Sequence, residues 1–242
     1  MVASKPALDT GLPVAETVAS GSESRPDDEA GTLRISEIFH SLQGEASRVG
    51  LPTVFVRLTG CPLRCIWCDS AYAFSGGNRL SFAEILARIA TWPTRQVCVT
   101  GGEPLAQRGC LALLTRLCDA GYEVSLETSG ALDIAAVDAR VSRIVDLKAP
   151  DSGECAKNRL ENLPHLGPRD EVKLIIASRR DYEWARDMLV RHQIAHRCPV
   201  LFSPAQGLQD PTQLAEWILA DGLPVRFQLQ LHKLLWGNLP GK

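Results

Sequence analysis

The sequence contains no apolar run long enough to cross a lipid bilayer. It has no block of Lys and Arg, and its net charge is −2. Tight, sequence-independent binding to nucleic acid is therefore not expected, because that binding comes mainly from neutralising phosphates. The first 30 residues lack a basic segment followed by an apolar one, so they show no secretory signal. We expect a cytoplasmic protein that binds neither membranes nor nucleic acid.

The size and composition of the chain suit one large domain or two small ones. Its 242 residues are 45% hydrophobic and 22% charged, which leaves ample material for a buried core. Residues 1–30 are rich in Ala, Ser, Pro, Gly and acidic side chains and show no periodicity. We predict that they form a disordered tail and that residues 31–242 form the folded domain.

Eight cysteines in a reducing compartment indicate metal ligands or small buried side chains, not disulfides. Cys61, Cys65 and Cys68 are spaced as Cys-x-x-x-Cys-x-x-Cys just after a β-branched run. A 4Fe–4S cluster held entirely by protein takes four thiolates, so three would leave one iron open to a small molecule. A zinc site or unrelated buried thiols are the alternatives. Zinc would require a fourth ligand, and the sequence has no second Cys-x-x-Cys pair.

A glycine-rich motif, Thr-Gly-Gly-Glu-Pro at residues 100–104, directly follows a predicted strand. Two glycines allow the backbone to approach a ligand closely, and Glu103 is suited to accept a hydrogen bond from the amine of an amino acid. An ordinary strand-to-helix turn with Pro at the helix start is the alternative. Because the motif follows a three-cysteine loop at the end of an earlier strand, we favour a ligand site.

Short β-branched runs alternate with helical patterns along the chain. Predicted strands cover residues 33–39, 53–58, 96–99, 123–126, 144–147, 172–177, 200–202 and 225–231. Predicted helices cover residues 81–91, 104–120, 181–192 and 211–220, and residues 149–169 are predicted to be a loop. This alternation predicts an α/β fold with a parallel sheet and covering helices. About six parallel strands are too few to close an eight-stranded barrel, so we expect an open, partial TIM-like barrel.

The cysteine loop at residues 61–68 and the motif at residues 100–104 resemble the cluster loop and the methionine-binding motif of the radical S-adenosylmethionine (radical SAM) superfamily. The resemblance covers nearly all of residues 33–240. It implies one 4Fe–4S cluster on three cysteines, with S-adenosylmethionine at the open iron. It also implies reductive cleavage of the sulfonium to methionine and a 5′-deoxyadenosyl radical. In such enzymes the cofactors supply the difficult chemistry, while the protein binds and orients them.

Four further segments resemble one family within that superfamily, the 7-carboxy-7-deazaguanine synthases. They are residues 37–45 (Glu-Ile-Phe-His-Ser-Leu-Gln-Gly-Glu), Arg57, residues 68–70 (Cys-Asp-Ser) and residues 230–233 (Gln-Leu-His-Lys). The family converts 6-carboxy-5,6,7,8-tetrahydropterin to 7-carboxy-7-deazaguanine with loss of ammonia, a step towards queuosine and related 7-deazapurines. The resemblance therefore implies a lyase. It also implies a homodimer and a flavodoxin or ferredoxin as electron donor.

The resemblance also implies contact residues. Substrate contacts are implied for Leu42, Gln43, Gly44, Glu45, Arg57, Thr100, Gly101, His232 and Pro240. Contacts with S-adenosylmethionine are implied for Trp67, Cys68, Asp69, Gly102, Glu103, Glu127, Asp146, Leu147, Lys148, Ser203, Pro204, Ala205 and Gln206.

Some of these residues have simpler interpretations. Ser70 stands where the family has a hydroxyl ligand of Mg²⁺, often Thr, but Ser is equally suited to an N-cap. Arg57 suits a carboxylate, yet it is also compatible with an ion pair within a strand. His232 at the end of a predicted strand is compatible with a purely structural role. Ala205 departs from the family pattern, and Ala46 stands where the family often has Gly, which predicts a less open turn.

Two other functions remain open at this stage. Glycyl-radical activating enzymes share the cysteine spacing, but they need a surface for a protein substrate instead of pterin contacts from Gln43, Glu45 and Arg57. A non-catalytic zinc-binding module would be colourless and free of sulfide. No protein radical is assigned, because the three tyrosines stand in no recognisable motif. They are Tyr72, Tyr122 and Tyr182.

Overall fold

The computed structural model describes residues 31–237, 239 and 241, so the predicted tail at 1–30 and the predicted substrate contact Pro240 lie outside the described residues. The strands are β1 (Thr32–Leu42), β2 (Pro52–Leu58), β3 (Asn78–Ser81), β4 (Gln96–Gly101), β5 (Glu123–Thr128), β6 (Ser142–Asp146), β7 (Glu171–Ile176), β8 (Val200–Pro204) and β9 (Arg226–Phe227). The helices are α1 (Phe82–Ile89), α2 (Gly109–Asp119), α3 (Arg179–His192), α4 (Pro211–Asp221) and α5 (Leu231–Trp236). Within the described residues, no helix combines the length and the apolar character needed to span a bilayer.

The strands form one open sheet in the order β3-β1-β2-β4-β5-β6-β7-β8-β9. β1 pairs antiparallel with β2 and β3, and every pair from β2 to β9 is parallel. The predicted open α/β barrel is therefore confirmed. Six full parallel strands match the expected number, and β9 adds a seventh of only two residues.

The parallel strands form because their sequences are apolar on both faces. β8 is buried along its whole length, and β4 is buried from its second residue onward. Strands of this kind are stable only where helices cover both sides of the sheet. At α1 the predicted capping box is present: the Ser81 hydroxyl accepts from the Glu84 backbone N–H, and the Glu84 carboxylate accepts from Ser81.

The predicted helix at 104–120 is wrong in its first turn. A short 3-10 turn, Pro104–Ala106, is separated from α2 by Gln107 in an extended conformation. The Gln107 side chain accepts from the Arg34 backbone N–H at 2.8 Å and donates to the Arg34 and Thr59 carbonyls at 2.9 Å each. These bonds to the ends of β1 and β2 replace the continuous helix.

The predicted last strand at 225–231 is also wrong beyond Phe227, since α5 begins at Leu231. The Leu231 N–H donates to the Gly44 carbonyl at 2.9 Å, which turns the chain away from the sheet. His232 therefore lies on a short helix, not at a strand end. The sequence patterns also missed the edge strand β3, and residues 149–169 contain three short 3-10 turns rather than a plain loop.

The carboxyl ends of the parallel strands meet at one rim of the sheet. The cysteine loop follows β2, the Gly101–Gly102 pair ends β4, and Asp146 ends β6. In α/β folds of this type, ligands bind at this rim, so the topology places the predicted motifs together.

Candidate active site

A cavity of about 600 Å³ opens at this rim and gathers most of the predicted contact residues. It is lined by Leu42, Gln43, Gly44, Glu45, Arg57, Cys61, Cys65, Trp67, Cys68, Asp69, Ser70, Thr100, Gly101, Gly102, Glu127, Asp146, Lys148, Ala205, Gln206 and His232. Four predicted contacts are absent from its lining: Glu103, Leu147, Ser203 and Pro204. The individual roles of these residues stay predictions.

The three thiols of the cysteine loop are free, half-buried and turned to the same cavity. Burial raises the pKa of Cys61 and of Cys65, and the nearby Cys68 thiol raises both further. Among the described residues, no three His, Cys, Asp or Glu side chains are placed to bind one metal ion. A cubane is bound at three separate irons, so its thiolates need not converge on one point. The three free thiols therefore suit a cluster that takes one thiolate at each of three irons.

The glycine pair allows β4 to pack directly against the cysteine loop. The Gly102 N–H donates to the Leu58 carbonyl at 3.2 Å, and the Glu103 N–H donates to the Gly60 carbonyl at 2.8 Å. A Cβ on Gly102 would lie 2.3 Å from the Gly60 oxygen and 2.7 Å from the Cys61 Cβ. Both residues would have to move, so glycine is needed here for contact between the two loops as well as for access to a ligand.

Glu103 is fully buried beneath the cavity. Its carboxylate accepts from the Leu105 N–H at 3.0 Å, the Thr128 hydroxyl at 2.9 Å and the Ser129 N–H at 2.7 Å. These bonds tie the end of β4 to the end of β5. Direct contact between Glu103 and the amine of S-adenosylmethionine stays a prediction.

The turn after β1 presents Gln43, Gly44 and Glu45 to the cavity. The Gln43 amide donates to Glu127 at 3.2 Å, and its oxygen accepts from the Gly44 N–H at 2.8 Å. The Thr100 hydroxyl donates to the other Glu127 oxygen at 3.0 Å. Glu127 thus joins the ends of β1 and β4 across the cavity floor.

Lys173 on β7 is the main functional residue that the sequence patterns missed. Its ammonium pairs with Glu45 and lies 3.5 Å from Asp146 Oδ2, and its side chain is only 12% exposed. Burial alone would lower the pKa of Lys173, but Glu45, Asp146 and Glu127 raise it well above its ordinary value. A lysine within the largely apolar strand Glu171–Ile176 was the available signal, because such a charge needs a buried partner.

Several aromatic rings give the cavity flat walls suited to a planar ligand. Phe39 and Phe55 stack with centroids 4.9 Å apart and planes within 9°. Further lining residues that are not among the predicted contacts include Phe39, Phe55, Leu63, Phe74, Thr128, Ser129, Ile144, Ile175, Gly237, Leu239 and Gly241.

Arg57 combines both interpretations drawn from the sequence. Its Nε pairs with Glu37 at 2.6 Å, and the guanidinium lies over the rings of Phe39 and Tyr72 at 5.6 and 5.7 Å. The Tyr72 hydroxyl donates to the same Glu37 carboxylate at 2.7 Å. The ion pair with Glu37 uses Nε of Arg57 and holds the side chain in place. The guanidinium also lines the cavity wall.

Ser70 stands at the N-cap of a 3-10 turn (Ala71–Phe74), yet its hydroxyl makes no capping bond. The hydroxyl lies 3.8 Å from the Cys68 sulfur and lines the cavity. The neighbouring Asp69 pairs with Lys233 of α5 at 3.1 Å. A capping role therefore does not account for the position of the Ser70 hydroxyl.

Ala46 adopts a left-handed backbone conformation, with φ of 64°. Its N–H donates to Gln228 Oε1 at 2.6 Å and its carbonyl accepts from Gln228 Nε2 at 3.0 Å. The turn thus keeps a backbone geometry that glycine adopts without strain. For Ala46 this left-handed conformation costs about 1–2 kcal/mol because of its methyl group. The amide of Gln228 holds the strained residue in place.

Replacing Gly44 with alanine is expected to displace α5. A Cβ on Gly44 would lie 2.1 Å from Nδ1 of the His232 ring, so the imidazole has to move outward. Such overpacking costs about 1–3 kcal/mol. We expect kcat/KM for the substrate to fall about tenfold, with the fold intact by circular dichroism. The double variant Gly44→Ala/His232→Ala removes the clash. In the His232→Ala background, Gly44→Ala should therefore lower kcat/KM much less than it does in wild type. An equal fall in both backgrounds would show that the clash with His232 is not the cause.

A sequence profile of the radical SAM superfamily matches residues 55–152, which include the cysteine loop and the glycine pair. The chain is 46% identical over 219 residues to the 7-carboxy-7-deazaguanine synthase of Koribacter versatilis, covering 84% of this chain and 97% of that protein. It is also 46% identical over 207 residues to the protein of that name from Chlorobaculum tepidum, covering 84% and 94%.

Among solved structures, QueE from Escherichia coli superposes with a TM-score of 0.70 at 24% identity, covering 83% of this chain and 95% of that one. Streptococcus suis SuiB bound to S-adenosylmethionine superposes with a TM-score of 0.51 at 12% identity, covering 71% and 45%. At these identities the two structures support the fold alone, which they share with this chain.

Proposed function

The chain belongs to the 7-carboxy-7-deazaguanine synthase family of the radical SAM superfamily, and from this we propose that it converts 6-carboxy-5,6,7,8-tetrahydropterin to 7-carboxy-7-deazaguanine with loss of ammonia. It is thus a lyase with a radical SAM role in 7-deazapurine biosynthesis. The observation that carries the proposal is one cavity in which three free thiols and the glycine pair face a buried carboxylate and an arginine.

When bound, the 4Fe–4S cluster and S-adenosylmethionine would supply radical chemistry to this cavity. Cys61, Cys65 and Cys68 would hold the cluster through their thiolates. Gly101 and Gly102 bring bare backbone to the cavity wall, where the methionyl part of the cofactor binds. The walls exclude water, which would otherwise quench reactive intermediates.

The substrate is held at both of its polar ends. Gln43 and Glu45 bind the amide and amino edge of the pterin, for which a buried carboxylate is an apt acceptor. Arg57 binds the substrate carboxylate, since a guanidinium presents a planar fork that matches it. The ion pair with Glu37 and the ring contacts of Arg57 fix this cation before substrate arrives, which lowers the entropy cost of binding.

Other parts of the proposal rest on the family resemblance. The Ser70 hydroxyl would hold Mg²⁺ beside the substrate, in keeping with a hydroxyl that makes no capping bond. The proposed electron donor is a flavodoxin or ferredoxin, and the proposed assembly is a homodimer in the cytoplasm.

Anaerobic reconstitution with iron and sulfide, followed by assay with S-adenosylmethionine, dithionite and Mg²⁺, tests the function. We expect 6-carboxytetrahydropterin to give 7-carboxy-7-deazaguanine and ammonia. A brown, cofactor-cleaving protein that leaves the pterin unchanged would refute the proposal. A glycyl radical formed on an added protein would instead support the activase alternative.

Replacing Arg57 with lysine keeps the charge but removes the planar fork. We expect KM for the pterin to rise about tenfold, because a hydrogen bond to a charged group is lost, while kcat changes little. Steady-state kinetics at saturating S-adenosylmethionine measure this. Arg88→Lys, at an exposed position on α1, is the matched control and should leave KM unchanged. An equal change in both variants would argue against a substrate contact at Arg57.

A further inference from the structure

Lys173 links the two halves of the cavity. Its ammonium contacts Glu45, which belongs to the turn after β1, and lies 3.5 Å from Asp146 at the end of β6. Lys173 lies in none of the family motifs quoted above, although its side chain lines the cavity and is almost fully buried. A buried cation between two carboxylates fixes the position and charge of both.

Glu45 depends on this cation for its ionisation. Burial would raise the pKa of Glu45, but Lys173, the Gln230 amide and His232 together hold it below its ordinary value. Lys173 is itself held charged by Glu45, Asp146 and Glu127, while Lys148 pairs with the same Asp146 oxygen, Oδ2, at 3.1 Å. Of these groups, Lys173 is the cation in direct contact with Glu45.

An ionised carboxylate only accepts hydrogen bonds, whereas a protonated one also donates. The edge of a 2-aminopteridine presents two donors side by side, the 2-amino group and N3–H. A 2-oxo ring replaces the first donor with an acceptor, which would face the carboxylate oxygen and leave both without a hydrogen bond. Buried groups left unpaired in this way are the strongest source of discrimination between related ligands.

We propose that Lys173 is a positioning residue which keeps Glu45 an acceptor-only carboxylate, so that the site selects 2-aminopteridines over their 2-oxo counterparts. This inference rests on the proposed function, because it places the pterin edge at Glu45. It extends that function by naming the residue that sets the choice of ring. Removing the ammonium lets Glu45 take up a proton, and the resulting carboxyl group can donate to a 2-oxo ring.

The probes are 6-carboxypterin and 6-carboxylumazine, which share a carboxylate and differ at the 2-position. Equilibrium dialysis with the reconstituted protein and S-adenosylmethionine gives the ratio of their dissociation constants. We expect wild type to prefer the pterin at a ratio that is constant between pH 6 and 8. Lys173→Met should lower this preference about tenfold near pH 6, and the preference should recover as the pH rises and Glu45 ionises. Lys173→Arg should restore it at every pH.

Two further variants separate this role from general damage to the cavity. Arg143→Met breaks a buried ion pair with Asp170 outside the cavity and should leave the ratio unchanged. Glu45→Gln should lose the preference by itself, and adding Lys173→Met to it should lower the ratio no further. If Lys173→Met does not fold by circular dichroism, Lys173→Gln takes its place in the comparison.

The proposal is overturned if Lys173→Met keeps the wild-type ratio and its constancy with pH, or if adding Lys173→Met to Glu45→Gln lowers the ratio further. Failure of the proposed function looks different. In that case wild type binds neither probe and does not convert 6-carboxytetrahydropterin, and the inference about Lys173 falls with it.

Discussion

Alanine at Cys61, Cys65 or Cys68 is expected to abolish both the brown colour of the reconstituted protein and its conversion of the pterin. Each thiol is free, half-buried and turned to one cavity, and no other cysteine lines that cavity. A cluster that depends on three thiolates loses a corner when one is removed, and the chemistry resides in the cofactors. The measurements are iron and sulfide content, the visible spectrum and product formation under anaerobic conditions.

The matched control is Cys118→Ala on α2, a half-buried cysteine outside the cavity. It should retain the wild-type iron content and activity. Retention of the colour and the activity in any one of the three cavity variants would show that the cluster assignment is wrong.

Gly102→Ala is expected to lower kcat/KM on the order of 100-fold. Its methyl group would meet the Gly60 carbonyl at 2.3 Å and the Cys61 Cβ at 2.7 Å, and neither atom belongs to a side-chain end that can swing away. The cysteine loop must therefore shift relative to β4, and a displacement of about 1 Å between reacting groups costs on the order of 100-fold in rate. Iron content is measured alongside kinetics, because a shifted loop also binds the cluster less well.

Gly167→Ala is the control for this substitution. A Cβ at Gly167 would find its nearest neighbour at 3.9 Å, an ordinary contact, and the backbone there is not left-handed. We expect wild-type activity and iron content. Normal activity in Gly102→Ala would show that the cysteine loop does not depend on close contact with the glycine pair.

Local patterns predicted the parts of the fold that depend on local chemistry. The apolar runs located eight of the nine described strands at least in part of their length and missed only β3, and the capping box placed the start of α1. The motifs located the cavity because the loops of a parallel sheet converge at one rim. The order of strands and motifs in the sequence was sufficient to locate the cavity, because each motif directly follows the end of a strand.

The elements that could not be predicted depend on distant partners. Gln107 interrupts a helical pattern because its amide bonds to the ends of β1 and β2, which are far away in the sequence. The chain after β9 becomes a helix because Leu231 bonds to Gly44. Lys173 on β7 pairs with Glu45, which follows β1, and β1 lies five positions from β7 in the sheet order. No local window contains any of these pairs.

The contact between Gly44 and α5 also governs the order in which the protein can be completed. One wall of the cavity comes from residues 42–45, near the start of the described chain, and another from Gln230, His232 and Lys233, near its end. A ribosome has to release almost the whole domain before that wall can close. The cysteine loop would therefore stay open to solvent on this side until residues 230–233 have been synthesised and have packed against Gly44.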